Sequence, residues 1–98
     1  MIKKTYTKTG NSCRITFKLP PEVNAESAAL VGEFNEWDSE ANPMKKLKDG
    51  SFSTTISLPA GATYRFRYLL DGEKWENDWE ADRYAPNQYG GEDSIVEV

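Results

Sequence analysis

The sequence predicts an all-β fold, a small antiparallel β-sandwich. Three observations lead there. Cys13-Arg14-Ile15-Thr16-Phe17-Lys18-Leu19 alternates apolar and polar residues without a break. Period two means that one face packs inward and the other meets water. Several more short segments of this kind lie further along the chain, separated by Gly, Pro and Asp turns. No segment carries a long helical period, so the layers must be built from sheets.

Taken in order, Lys4 to Lys8 reads as a short partner strand, with Gly10-Asn11 as its turn. Residues 1–12 are then an N-terminal extension or an extra edge strand. The Cys13–Leu19 strand stops at Pro20-Pro21, because proline has no donor for a ladder. Ala28 to Phe34 is the next strand, with Gly32 allowing close approach and Phe34 anchoring the loop beyond it. Asn35 to Pro43 is a loop rich in Asn, Asp, Ser and Pro. Met44 to Lys48 is a short strand, and Asp49-Gly50 signals a hairpin. Beyond it Phe52, Thr54, Ile56 and Leu58 share one face, and Pro59-Ala60-Gly61 turns the chain. Tyr64 to Leu70 is the segment richest in β-formers. Tyr64, Phe66, Tyr68 and Leu70 share one of its faces, Arg65, Arg67 and Leu69 the other. Residues 76–91 show no period and read as one long loop. A loop beyond roughly 12–15 residues is more often functional than idle. Ser94 to Val98 closes the chain as a strand, with Val96 and Val98 on one face.

At 98 residues the chain is expected to form one domain. Its net charge of −4 argues against a general attraction to nucleic-acid phosphates. No apolar run approaches the roughly 18 residues needed to span a bilayer, and no apolar signal core stands behind the N-terminal charges. We therefore expect a soluble, cytoplasmic protein. The single cysteine, Cys13, cannot form an internal disulfide or a multi-thiolate zinc site. Its place in the alternation makes it a small core residue. Histidine is absent, which removes imidazole bases, Ser-His and Cys-His pairs and His-metal sites. Carboxylate chemistry needs only Asp and Glu and is not removed. The run Asp71, Glu73, Glu76, Asp78, Glu80, Asp82 could supply it, or could supply calcium oxygens. Yet its spacing selects no catalytic pair and lacks the EF-hand glycine. A solvated acidic face is the expectation, with no metal, no cofactor and no catalytic residue.

The tryptophans are more informative. Trp37, Trp75 and Trp79 all lie outside the clearest strand cores. Each alone could be a half-buried packing residue. Together, two or three could form one flat apolar platform. A sugar ring offers a weakly polar C–H face and a rim of hydroxyls. An aromatic ring covers the face while Arg, amides or carboxylates take the rim. Arg67, on the outward face of its strand, is the candidate polar partner. Whether Trp75 joins it depends on the Asp71-Gly72 turn. A two-residue loop pairs Leu70 with Glu73 and sets Trp75 opposite Tyr68, on the core face. A three-residue loop, Leu70-Asp71-Gly72, pairs Leu69 with Glu73 and sets Trp75 opposite Arg67, on the outer face. The sequence permits both.

Val31-Gly32-Glu33-Phe34-Asn35-Glu36-Trp37 resembles a motif of the glycogen-binding domain family, a strand ending in Gly-x-Phe-Asn-x-Trp. These modules precede the catalytic domain in glycogen branching and debranching enzymes, and occur in the β subunit of AMP-activated protein kinase. The family pattern continues with an aromatic, basic strand closed by Asp-Gly and a nearby Trp, here Tyr64 to Trp75. It ends in Pro-Asn-x-aromatic-Gly-x-x-Asn-Ser and a β-branched strand, here Pro86 to Val98. The resemblance covers about residues 13–98 and implies an immunoglobulin-like, early-set β-sandwich. It further implies non-catalytic binding of α-1,4-glucan, with Trp37 and Trp75 as stacking rings and Arg67 as hydrogen-bond donor. Tyr89 takes the place of the bulky residue of the last loop, and Asp93 stands where the family carries asparagine. Two departures are visible. An ionised Asp93 accepts hydrogen bonds but donates none, and brings a charge near Arg67 or the sugar. The turn before Trp75 is one residue longer than in the kinase subunit.

Expected partners are an α-glucan polymer or oligosaccharide and, through the resemblance, a glycogen-metabolism enzyme or another protein. The alternative is a protein-interaction module that keeps the sandwich and has lost sugar binding. The expected state is a monomer or a weak dimer through an exposed edge strand. The opening Met and closing strand suggest a complete short protein.

Overall fold

The computed structural model describes residues 2–98. Among these, nine strands form two antiparallel sheets. The first sheet is ordered β1-β2-β5-β4, with β1 Ile2–Tyr6, β2 Ser12–Leu19, β4 Lys45–Lys46 and β5 Phe52–Pro59. The second is ordered β3-β6-β9-β8, with β3 Ala28–Gly32, β6 Thr63–Leu70, β8 Arg83–Pro86 and β9 Glu92–Glu97. A further strand, β7 (Lys74–Glu76), pairs with the far end of β6. Among the described residues the only helical pieces are two short 3-10 turns, Pro21–Val23 and Glu33–Asn35. This is the antiparallel sandwich of immunoglobulin-like, early-set kind that the alternation and the resemblance imply.

The core arises directly from period two. Cys13, Ile15, Phe17 and Leu19 of β2 are fully buried. They face Phe66, Tyr68 and Leu70 of β6 and Leu30 of β3. Phe17 meets Phe66 edge-on at 5.1 Å between ring centroids, and Phe66 meets Tyr68 at 5.6 Å. Edge-to-face contacts at such distances add to the gain from area burial.

Two polar residues, Asp78 and Ser94, are fully buried beside this core. Asp78 is fully buried and accepts a hydrogen bond from the Tyr68 hydroxyl at 2.6 Å. Its backbone N–H donates to Ser94 Oγ, and the Glu80 N–H donates to its other oxygen. Burial first, and the Asp78 charge second, hold the Tyr68 hydroxyl well above the ordinary phenol range. The acidic run is therefore not a uniformly solvated face. Asp78 is the exception, because it closes the β7–β8 connection onto the core. Among the described residues no group of three or more His, Cys, Asp or Glu could hold a metal ion. No described helix is long and apolar enough to cross a membrane.

Several boundaries differ from the expectation, among them the last strand, which is Glu92–Glu97 and not Ser94 to Val98. The first strand is Ile2–Tyr6, not Lys4 to Lys8, because Tyr6 pairs with Cys13 and leaves Thr7 to Asn11 for the turn. The third strand stops at Gly32, and Phe34 lies in the adjoining 3-10 turn. The fourth strand shrinks to Lys45–Lys46. Residues 76–91 are not one structureless loop: Glu76 ends β7, and Arg83–Pro86 forms β8 against β9. Arg83–Pro86 does not alternate strongly enough to announce itself, and it exists because β9 offers a free edge.

Candidate functional site

The site begins where β3 ends. Gly32 has no room for a side chain: an added Cβ would lie 2.6 Å from the Arg65 carbonyl oxygen and 2.9 Å from the Phe34 ring. Its backbone is extended, so space and not conformation demands the glycine. The chain then enters the 3-10 turn Glu33–Asn35 and leaves it through two residues of positive φ, Glu36 at 57° and Trp37 at 59°. A bulky L-residue in that region costs on the order of 1 kcal/mol, so the neighbourhood must impose it. Asn35 does much of this. Its Oδ1 accepts from Gly32 N, and its Nδ2 donates to Leu30 O and to Asn42 Oδ1. The Trp37 N–H donates to the Gly32 carbonyl at 2.8 Å. Phe34 folds back onto Phe17 and Tyr64. Trp37 is thus held at a fixed place with 40% of its surface exposed.

The β6–β7 turn brings in the second ring, by a register that is neither of the two expected. Leu70 pairs with Lys74, Leu69 with Trp75 and Tyr68 with Glu76. Asp71 and Gly72 both adopt positive φ, and Glu73 N donates to Leu70 O, as in a primed hairpin turn. Glu73 is then one extra residue before pairing resumes. Asp71 is braced from outside the hairpin, since its Oδ1 accepts from Glu26 N and Ser27 N. The outcome is an outward Trp75, sharing a face with Leu69, 44% exposed. Arg67 lies diagonal to it, with its guanidinium carbon 5.7 Å from the Trp75 ring centroid. That is within cation–π range. Arg67 Nε is buried without a hydrogen-bond partner among the described residues.

The third wall is the β8–β9 turn. Tyr89 at its tip is 85% exposed, and Gln88 Nε2 donates to its hydroxyl. Trp37, Arg65, Arg67, Trp75, Asp93 and residues 86–89 line one groove of about 650 Å³ on the outer side of the second sheet. All five residues singled out from the sequence therefore border a single groove. Two differ in detail from the expectation. Trp75 reaches it by the third register. Asp93, only 6% exposed, pairs its charge with Arg65, whose Nη1 donates to Asp93 Oδ2 at 3.2 Å. Trp79, although 51% exposed, does not line the groove. Arg65 and Asn87 were not selected from sequence. Arg65 shares the outward face with Arg67, and that alternation is the signal that could have found it.

Residues 11–85 match the family described as carbohydrate-binding module 48, the isoamylase N-terminal domain. The chain belongs to that family. Relatives of the module include the 1,4-alpha-glucan branching enzyme of Aquifex aeolicus, 33% identical over 76% of this chain. The corresponding enzyme of Photobacterium profundum is 37% identical over 74% of it. A shorter stretch, 38% of the chain, is 54% identical to the 1,4-alpha-glucan-branching enzyme of Emericella nidulans. The module spans a small part of these enzymes, 13% of the first and 10% of the second.

Proposed function

We propose that this module binds α-1,4-linked glucan, glycogen-like or starch-like, without performing chemistry on it. The observation that carries this reading is the shared groove: Trp37, Trp75 and Tyr89 present exposed rings around the Arg67 guanidinium. Flat rings at the sides of an open groove suit the C–H faces of successive glucose units, and a guanidinium suits their hydroxyl rims. The branching-enzyme relatives act on glucan, which supports the same ligand class. Two carboxylates of the acidic run are engaged within the protein. Asp78 is buried against Tyr68, and Asp82 is tied to Lys4 at 2.6 Å. Asp93 does not favour a module that has lost its sugar, because its charge is spent inside the protein on Arg65. We read the chain as one domain, working in the cytoplasm beside a glucan-acting enzyme.

A few stacking contacts imply a dissociation constant on the order of micromolar to millimolar. Titration with maltoheptaose, followed by tryptophan fluorescence and by calorimetry, tests the reading. Saturable binding that is lost in Trp37→Ala is expected. No heat and no spectral change at millimolar sugar would overturn it, as would an unchanged response in Trp37→Ala.

A further inference from the structure

Arg65 sits between the turn that leads to Trp37 and the loop that carries Tyr89. At its backbone, β3 has ended: the last pair of that register is Gly32 with Phe66. The Arg65 N–H, which a longer β3 would have taken, donates instead to Glu33 Oε1 at 2.6 Å. Glu33 opens the turn that leads to Trp37. At its side chain, Arg65 Nη1 donates to the Pro86 carbonyl and to Asp93 Oδ2, both at 3.2 Å. Asp93 Oδ1 accepts from Asn87 Nδ2 at 3.1 Å. Asn87 Oδ1 in turn accepts the backbone N–H of Tyr89 at 2.9 Å and of Gly91 at 3.1 Å. The chain of contacts runs from the middle of the sheet to the tip of the third wall.

The donor and acceptor types along it are fixed. Backbone N–H groups only donate, so Asn87 must turn its oxygen toward Tyr89 and Gly91 and its amide nitrogen toward residue 93. Arg65 also only donates. Residue 93 therefore faces two donors and needs two acceptor atoms. An aspartate supplies both. An asparagine would set its own NH2 against one of them. With only 8% of its side chain exposed, Asp93 has both oxygens committed within the protein.

We infer that Arg65 and Asp93 form an internal latch that positions the Tyr89 loop over the groove, and that Asp93 acts through this latch without touching sugar. The ligand's hydroxyl partners then come from Arg67 and the exposed edge of the 86–89 segment. The inference rests on the glucan reading for its effect on binding, but the latch itself exists in the free protein.

A double-mutant cycle in the full chain tests it, with maltoheptaose affinity read by calorimetry. Asp93→Asn is expected to weaken binding about 5- to 10-fold in the wild-type background and less than about 2-fold in Arg65→Gln, within the range of measured coupling between contacting residues. An equal cost in both backgrounds would mean that Asp93 contacts the sugar, and would overturn the inference. Amide hydrogen exchange in the sugar-free protein gives a second readout. Tyr89 and Gly91 amides are expected to exchange at least about 10-fold faster in both single variants, with the amides of β2 unchanged, since local opening is set by the contacts of that loop. Unchanged exchange at Tyr89 and Gly91 refutes the latch. Should the wild-type chain bind no maltoheptaose, the glucan reading fails and exchange alone decides the latch.

Discussion

On β6, Phe66, Tyr68 and Leu70 face the core and are at most 2% exposed. Arg65, Arg67 and Leu69, alternating with them, face the other way, and the two arginines border the groove. One eight-residue strand thus supplies both the centre of the fold and the floor of the candidate site. The two faces are held by different forces. The inner face is fixed by area burial and ring contacts, which need no partner beyond close packing. The outer face is fixed by directional contacts: Arg65 to Asp93 and Pro86, and Arg67 stacked on Trp75. The groove can therefore be altered without unfolding the sandwich, whereas the converse does not hold.

The largest effect should come from breaking the inner face. Phe66→Ala empties the volume between the Phe17 and Tyr68 rings. A buried Phe→Ala change costs about 3–5 kcal/mol, a large share of the stability of a domain this size. Urea unfolding followed by circular dichroism should show that loss, and sugar binding should fall with it. A loss below about 1 kcal/mol would mean that the core does not depend on this ring.

Tyr68 probes the same division more finely, because it is an inner-face residue with a polar end. Tyr68→Phe removes the hydroxyl that donates to Asp78 Oδ2, which should cost about 1–3 kcal/mol near pH 8. The sign with pH comes from the raised folded-state pKa. The hydroxyl's contribution is complete below the unfolded-state value of about 10. It is lost as pH rises above that, because the unfolded chain releases the proton and the native one retains it. The stability gap between wild type and Tyr68→Phe should therefore shrink by up to about 1.4 kcal/mol per pH unit above pH 10. Urea midpoints at pH 8, 10 and 11 measure it, and a gap that stays constant would refute the shielding of this hydroxyl.

Breaking the outer face should do the reverse. Trp75→Ala is expected to raise the maltoheptaose dissociation constant at least about tenfold, roughly 1.4 kcal/mol. It should lower the unfolding free energy by about 1–2 kcal/mol, less than Phe66→Ala, since the ring is only partly buried. A normal dissociation constant in that variant would remove Trp75 from the site.

How much of this was legible in the sequence differs between the two faces for the same reason. The inner face is periodic, so Cys13–Leu19, Phe52–Leu58 and Tyr64–Leu70 declare their buried residues without any knowledge of partners. The outer face depends on register between strands far apart in sequence. Trp75 illustrates this. Two turn geometries were open, and the observed third is braced by the Glu26 and Ser27 amides on Asp71, a contact across the fold. Asp93 illustrates it again. Its departure from asparagine reads as a change at the ligand until β9 places it beside β6 and gives Arg65 its partner. The strand β8 was missed because Arg83–Pro86 has no alternation of its own and forms only by pairing with β9. The motif residues Trp37, Arg67, Trp75, Tyr89 and Asp93 were legible as a set through the family resemblance, but not the contacts that orient them.

The smallest effect is expected at Trp79, and it separates exposure from position. Trp79 is more exposed than either Trp37 or Trp75, at 51% against 40% and 44%. If exposed aromatic area alone captured glucan, Trp79 would be the strongest platform of the three. It comes directly after the buried Asp78, however, and lies outside the groove where Arg67 and the 86–89 segment converge. A ring outside that convergence can cover one sugar face but does not share the Arg67 guanidinium that suits the hydroxyl rim. Trp79→Ala should therefore leave the maltoheptaose dissociation constant within about 2-fold of wild type. The measurement needs calorimetry and not fluorescence, because removing an exposed indole changes the emission whatever the sugar does. Its stability should fall by about 1–2 kcal/mol, as for the half-exposed Trp75. A loss of affinity comparable to that of Trp75→Ala would show that the glucan path extends past the groove toward the β7–β8 connection, and the outer face of β6 would then be only one end of the site.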